Sequence, residues 1–190
     1  LEEHSVRRAA GGDVPLGEVL VELEYLTRRQ LESLLEKQGA GKSARGQPIP
    51  GYELIKKLGE GGMAATYLAR QASMDRLVAI KIMRKNLARD KSFISRFERE
   101  AKLAGSLNHI NIVGVHDVGE GGGFHYLAME YVEGRSAGEL VPEGGAMGEE
   151  LALHITLQVA RALSYAGAHG IVHRDIKPDN ILVTVDRIAK

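Results

Sequence analysis

The stretch that most limits what this chain can fold into is His173-Arg174-Asp175-Ile176-Lys177-Pro178-Asp179-Asn180. It is a polar loop held between two apolar segments. Upstream, Leu151, Ile155, Val159 and Leu163 recur at helical spacing within residues 149–168. Downstream, Ile181-Leu182-Val183 reads as a strand. The junction puts an acid, a lysine and an amide on one short loop. Phosphoryl transfer to a hydroxyl needs an acid to orient the hydroxyl and take its proton. It also needs a cation near the transferred group and an oxygen ligand for Mg²⁺. The loop supplies one of each.

Composition narrows the alternatives. The 190 residues carry 25 basic and 25 acidic side chains, a formal net charge of zero. That argues against a protein built as a whole to hold a polyanion, a local basic patch remaining open, and nucleic acid is not an expected partner. Hydrophobic content of 44% is enough to bury a core. There is no cysteine, hence no disulfide framework and no thiolate metal site, which fits a cytoplasmic location. No apolar run approaches the ~20 residues needed to span a bilayer. The chain starts at Leu1, without an initiator Met or a signal-peptide pattern, and is expected to be a fragment or a processed product.

From the N-terminus, residues 1–13 are polar and Gly-containing and are expected to be disordered. Residues 14–39 read as a helical pair. Leu16, Val19, Leu20 and Leu23 have helical spacing in the first helix. Thr27 and Gln30 form a capping box at the start of the second. Leu26 and Leu31 are placed as a hydrophobic staple, Leu31, Leu34 and Leu35 form the stripe, and Gly39 is a stop. Residues 16–38 resemble a half-motif in the N-terminal domains of type II secretion and type IV pilus ATPases, some of which bind cyclic di-GMP. The pattern departs at Pro15, where the family has arginine, and at Glu24, where it has glycine. Only one copy is present, so cyclic di-GMP is not an expected ligand and a helical interaction module is. Residues 40–51 read as a linker. Their Gly41-Lys42-Ser43 is not a Walker A tail, because Glu36 stands at the first glycine and no strand precedes it.

Residues 52–132 carry a second set of signals. Tyr52–Leu58 is a strand, Gly59-Glu60-Gly61-Gly62-Met63-Ala64-Ala65-Thr66 a glycine turn, and Tyr67-Leu68-Ala69 a strand. Glycines in such a hairpin let backbone N–H groups approach phosphate oxygens. In Leu77-Val78-Ala79-Ile80-Lys81, Val78 and Ile80 face one way on a strand and Ala79 and Lys81 the other. A helix over 93–107 follows, with Phe93, Phe97, Ala101 and Ala104 on one face and Glu100 in Arg99-Glu100-Ala101. Strands over 112–118 and 124–130 and a glycine-rich turn (119–123) lead into Met129-Glu130-Tyr131-Val132-Glu133-Gly134.

In order and spacing, the glycine hairpin, V-A-I-K, helix glutamate, M-E-Y-V and H-R-D-x-K-x-x-N over 52–190 resemble the Hanks-type bacterial serine/threonine protein kinases. The lysine two past the aspartate matches the serine/threonine rather than the tyrosine branch. The resemblance implies an α+β, protein-kinase-like bilobal fold, with a complete N-lobe sheet and helix C (52–132) and a partial helical C-lobe (133–190), preceded by the helical hairpin. It implies ATP and Mg²⁺ as cofactors and a protein hydroxyl as acceptor. It assigns nucleotide contacts to Leu58, Gly59, Glu60, Gly61, Gly62, Met63, Thr66, Ala79 and Lys81, with Glu100 pairing Lys81. Met129 would shape the back pocket, and the backbone at Glu130 and Val132 would meet adenine. Asp175 would orient and deprotonate the hydroxyl, Lys177 would neutralise the γ-phosphate, and Asn180 would ligate Mg²⁺. His173 and Arg174 are structural in this scheme.

Two departures bear on nucleotide affinity: Ala64 replaces the third glycine and Thr66 the valine that packs on adenine. The chain ends at Lys190 before any D-F-G, so truncation within the catalytic domain is expected. A nucleotide- or partner-binding module without phosphoryl transfer is the alternative reading.

Overall fold

The computed structural model describes residues 15–37, 48–143 and 145–190. The expected disordered stretch 1–13, the stop at Gly39 and the Gly41-Lys42-Ser43 string lie outside the described residues. Two compact units are present. One runs up to Ala101 and adds His116–Met129; the other is Lys102–Val115 with Glu130–Lys190.

The first unit begins with helices α1 (Leu16–Glu22) and α2 (Arg28–Lys37). The capping box forms as expected. The Thr27 N–H donates to Gln30 Oε1 at 2.8 Å, and the Gln30 N–H donates to Thr27 Oγ1 at 3.3 Å. Gly17 faces α2 so closely that a Cβ there would lie 2.5 Å from Leu31 Cδ1, so the Leu31 side chain would have to shift to admit one. The chain reverses after α1 through Glu24, whose φ of 64° is left-handed. That is the position where the secretion-ATPase half-motif carries glycine, and a side chain there is held against a cost of about 1–2 kcal/mol.

Strands β1 (Tyr52–Glu60), β2 (Ala64–Gln71), β3 (Arg76–Met83), β4 (Val115–Gly121) and β5 (Phe124–Glu130) form one sheet in the order β1-β2-β3-β5-β4. The β1–β2 and β2–β3 pairs are antiparallel. Between β3 and β4 lies helix α3 (Lys91–Gly105), capped by Asp90, whose Oδ1 accepts the Ser92 N–H at 2.8 Å.

Strand alternation sorts the sheet into two faces. Tyr52, Leu54, Ala65, Tyr67, Ala69, Val78, Ile80, Ile82, Phe124 and Ala128 form the core cluster on one face. Val19 and Leu23 of the α1 segment complete that cluster, both fully buried. A seven-residue helix is not stable in isolation. Burying a valine and a leucine contributes about 3–6 kcal/mol, which is what holds it here. The α1 segment is therefore part of the core of this unit. Ile49, expected within the linker, is also fully buried in the cluster and bridges to Tyr52.

At the sheet's far edge β4 turns into β5 at Gly122 and Gly123, both at positive φ. A Cβ on Gly122 would sit 2.0 Å from the Pro48 carbonyl oxygen, so that turn requires glycine. The expected strand over 112–118 begins later, at Val115. Asn111, ahead of that strand, is buried in the second unit, where its side-chain amide donates to Gln158 Oε1 and to the Ala189 carbonyl.

The second unit contains β6 (Gly134–Ser136), helix α4 (Glu149–Ala168), a 3-10 turn over Pro178–Asn180 and β7 (Leu182–Thr184), which pairs antiparallel with β6. Its core is Ala137, Ile155, Val183 and Ala189, with Leu151 and Val159 packed against it. The buried line of α4 runs through Ile155, Gln158, Ala162 and Ala166, and Leu163 is exposed. The expected stripe through Leu163 is thus rotated. Gln158 takes a core position because its amide is fully engaged. Its Oε1 accepts from Asn111 Nδ2 (2.7 Å) and the Ala189 N–H (3.0 Å), and its Nε2 donates to the Arg187 carbonyl (2.8 Å). Among the described residues no helix is long and apolar enough to cross a membrane.

Candidate active site

In the first unit, the sheet face opposite the core carries the residues nominated for nucleotide. Thr66 stands directly across from Lys81, Leu68 from Ala79, and Gly59 from Thr66. By alternation Met129 lies on this same face, since Phe124 and Ala128 belong to the core side. Lys81 is half-buried. Three adjacent strands therefore bring Gly59, Thr66 and Lys81 into one row.

The hairpin between β1 and β2 closes with the Gly61 N–H donating to the Ala64 carbonyl at 2.9 Å. Leu58, Gly59, Glu60, Gly61, Gly62 and Met63 are all exposed. None of the three glycines has the left-handed φ that would demand glycine. A Cβ on Gly59 or Gly62 would meet nothing within 4 Å, and one on Gly61 only the Ala64 carbonyl at 3.8 Å. The fold itself does not need glycine at these positions. What their missing side chains leave is open approach to backbone, the property a phosphate cradle requires.

Ala64 is a buried strand residue without positive φ. The backbone cost expected of alanine at the third glycine position is therefore absent. Ala64→Gly is expected to destabilise the protein by about 0.5–1 kcal/mol, with no tightening of nucleotide binding. Urea denaturation and a nucleotide titration check both halves; a more stable or tighter-binding variant would contradict the assignment.

The expected Lys81–Glu100 ion pair is not formed. Glu100 is exposed on α3, one residue before the buried Ala101 and hence about 100° round the helix from it. In kinases that pair is assembled on activation.

In the second unit, the loop after α4 gathers its polar residues. Asn180 Nδ2 donates to the Asp175 carbonyl at 2.8 Å and to Asp175 Oδ2 at 2.9 Å. Lys177 Nζ lies 3.5 Å from Asp175 Oδ2. With its Nδ2 used in this way, Asn180 presents Oδ1 as a free hard-oxygen donor. The carboxylate keeps Oδ1 for another partner. That one amide oxygen fits Mg²⁺, which takes few protein ligands and completes its shell with phosphate and water, and it leaves the Asp175 carboxylate to the acceptor hydroxyl.

His173 Nδ1 accepts the Asp175 N–H at 3.4 Å, in keeping with a structural role. Arg174 adopts a left-handed φ of 69°, which turns the chain so that Asp175 follows. The loop rests on the segment after β6. The Gly138 N–H donates to the Pro178 carbonyl at 3.2 Å, and a Cβ on Gly138 would lie 2.5 Å from Asp179 Oδ1. Gly138 is a supporting residue that no sequence motif singles out.

Glu130 and Val132 also lie in this unit. The Glu130 N–H is taken by the Gly114 carbonyl at 2.7 Å. Its carboxylate accepts from the Gly114 N–H at 3.2 Å and from Lys190 Nζ at 2.9 Å. Of the two backbones nominated for adenine, Glu130 can offer only its carbonyl, and the donor has to be Val132.

Comparison with known proteins agrees with this layout. Residues 52–190 match the protein kinase domain family. The chain is 47% identical over 139 residues to the serine/threonine-protein kinase PrkC of Bacillus subtilis, covering 73% of this chain and 22% of the relative. It is 43% identical over 143 residues to PknB of Mycobacterium leprae, covering 73% and 23%. The crystal structure of the Mycobacterium tuberculosis PknI kinase domain superimposes with a TM-score of 0.63 at 32% identity, covering 77% of this chain and 60% of that one. The chain belongs to the protein kinase family, whose members use ATP and a divalent metal, generally Mg²⁺. It spans less than a quarter of the length of these two curated relatives.

Proposed function

We propose that this chain carries the nucleotide-handling and catalytic-loop residues of a kinase that transfers the γ-phosphoryl group of Mg-ATP to serine or threonine hydroxyls of proteins. The observation that carries this reading is the loop cluster, with Asn180 on the Asp175 carboxylate at 2.9 Å and Lys177 at 3.5 Å. The names of PrkC and PknB, both serine/threonine kinases, support the acceptor class.

Asp175 orients the acceptor hydroxyl and takes its proton as the new O–P bond forms and the bond to the bridging oxygen of ADP breaks. Lys177 offsets negative charge on the transferred group. Asn180 holds Asp175 in place through Nδ2 and offers Oδ1 to the metal. Bound Mg²⁺ neutralises and aligns the phosphates. In the first unit, Lys81 and the glycine turn serve phosphate oxygens, while Thr66, Ala79 and Met129 serve the base. The Glu130 carbonyl and Val132 N–H supply the polar pair for adenine. The need for ATP and the lack of cysteine fit a cytoplasmic site of action. The test is transfer of label from γ-labelled ATP to phosphoserine or phosphothreonine by the full-length protein. Label that never reaches a hydroxyl amino acid, with wild type and Asp175→Asn indistinguishable, would overturn the proposal.

A further inference from the structure

The residues matched to the kinase family begin at 52, yet the glycine turn is tied to a side chain thirty-odd residues ahead of it in the sequence. Glu22, the last residue of α1, accepts hydrogen bonds from Lys57 Nζ and the Tyr67 hydroxyl. Lys57 also binds Glu60 Oε2 at 2.6 Å, inside the turn sequence. Arg84, just past β3, makes the same connection by a second route. Its Nη1 donates to the Glu22 carbonyl at 3.1 Å and lies 3.5 Å from Glu24 Oε1, while its Nη2 pairs with Glu60. The Arg84 N–H donates to the Met63 carbonyl at 3.1 Å.

The end of α1 is fastened at two further points. The Lys85 N–H donates to the Leu23 carbonyl at 3.1 Å, and Lys85 Nζ to the Tyr25 carbonyl at 3.0 Å. Lys85 thus satisfies carbonyls at the C-cap of α1 and just beyond it, where no further helical turn supplies donors. The carboxylates of Glu22 and Glu60 thus share Lys57, and Arg84 spans the Glu22 backbone and Glu60. Burial opposes ionisation of Glu22, but the hydrogen bonds from Lys57 and Tyr67 and the charges of Lys57 and Arg84 outweigh it and hold its carboxyl below the ordinary range.

We infer that Glu22, outside the residues matched to the kinase family, is a positioning residue for the nucleotide turn: its carboxylate, through Lys57 and beside the Arg84 that its backbone carbonyl also holds, fixes Glu60–Met63, and the docked α1 segment thereby sets nucleotide affinity. The inference rests on the kinase reading only for its second clause, so it is tested by two readouts. In the full-length protein, Glu22→Ala should speed amide hydrogen exchange at 58–64 several-fold while leaving β3 (76–83) unchanged. It should raise the KM for ATP about five- to tenfold, with kcat and the KM for protein acceptor within about twofold. Glu22→Asp should recover part of the ATP effect.

Glu22→Gln keeps an acceptor for Tyr67 but turns an amide donor toward Lys57 in place of the charged acceptor, so it serves if the alanine variant folds poorly, and it should show the same pattern. Unchanged exchange at 58–64 in a folded variant overturns the inference. So does a uniform rise across the unit with kcat and both KM values changing together, which marks a merely structural role. A wild type that binds no ATP refutes the kinase reading instead, and the exchange measurement still decides the positioning role.

Discussion

Replacing Asp175 by Asn lowers phosphoryl transfer by about 10²–10⁴-fold while leaving ATP affinity intact, in line with loss of a general base. The substitution is close to isosteric. Asn180 Nδ2 donates at 2.9 Å to Asp175 Oδ2 and at 2.8 Å to the Asp175 backbone carbonyl. An amide oxygen at 175 accepts the first of these bonds and the backbone keeps the second, so the loop holds its shape. What disappears is the proton acceptor and the negative charge facing Lys177. Turnover and nucleotide binding should therefore separate cleanly. Single-turnover transfer assays with a calorimetric ATP titration measure the two. A variant that loses both would show that Asp175 organises the site rather than acting in it. A variant that loses neither would remove the loop from the chemistry.

The second large effect is on stability. Asn111→Ala is expected to destabilise the second unit by about 2–3 kcal/mol, because a buried carbonyl loses its donor and a small void opens. Asn111 Nδ2 serves both Gln158 Oε1 (2.7 Å) and the Ala189 carbonyl (2.8 Å). Gln158 keeps the Ala189 N–H, so the Ala189 carbonyl bears most of the cost. Asn111→Asp keeps the shape but turns the donor into an acceptor facing two oxygens. Its penalty should be no smaller than that of alanine. Urea denaturation of both variants decides the matter, and a near-neutral aspartate would show that the network contributes little.

How much of this was legible beforehand differs from feature to feature. Alternation in Val78-Ala79-Ile80-Lys81 gave the two faces of the sheet correctly, because the period of a strand is fixed by its backbone. The Thr27–Gln30 capping box was readable for the same reason: it is local. The kinase motifs identified the family and the fold together. Features made by distant residues were not readable. Nothing in Leu16–Leu23 states that its apolar face closes on Tyr67 and Ile80 rather than on the neighbouring helix. Helical spacing in 149–168 was right, but the stripe was rotated, because a glutamine held by Asn111, Ala189 and Arg187 occupies a core position that composition assigns to leucine. The Lys81–Glu100 pair is not formed in this structure, and register along a helix does not by itself fix which way a glutamate points. Gly138 and Glu22 belong to no motif at all. Their roles appear only when a loop or a lysine from elsewhere in the chain arrives beside them.

The contact between α1 and the sheet also bears on the order in which the chain assembles. The Tyr25 hydroxyl bonds the Gly123 carbonyl across 98 positions, and Val19 and Leu23 share a core with Phe124 and Ala128. Closing so wide a loop is slow compared with forming a hairpin. Although α1 is synthesised before the sheet it packs on, it is thus among the last of these elements to find its place. During synthesis its two core side chains stay exposed until β5 has emerged, an interval of several seconds at ordinary elongation rates of about 5–20 residues per second. An N-terminal segment that helps set the nucleotide turn is in this way also a late reporter of whether the sheet beneath it has been completed.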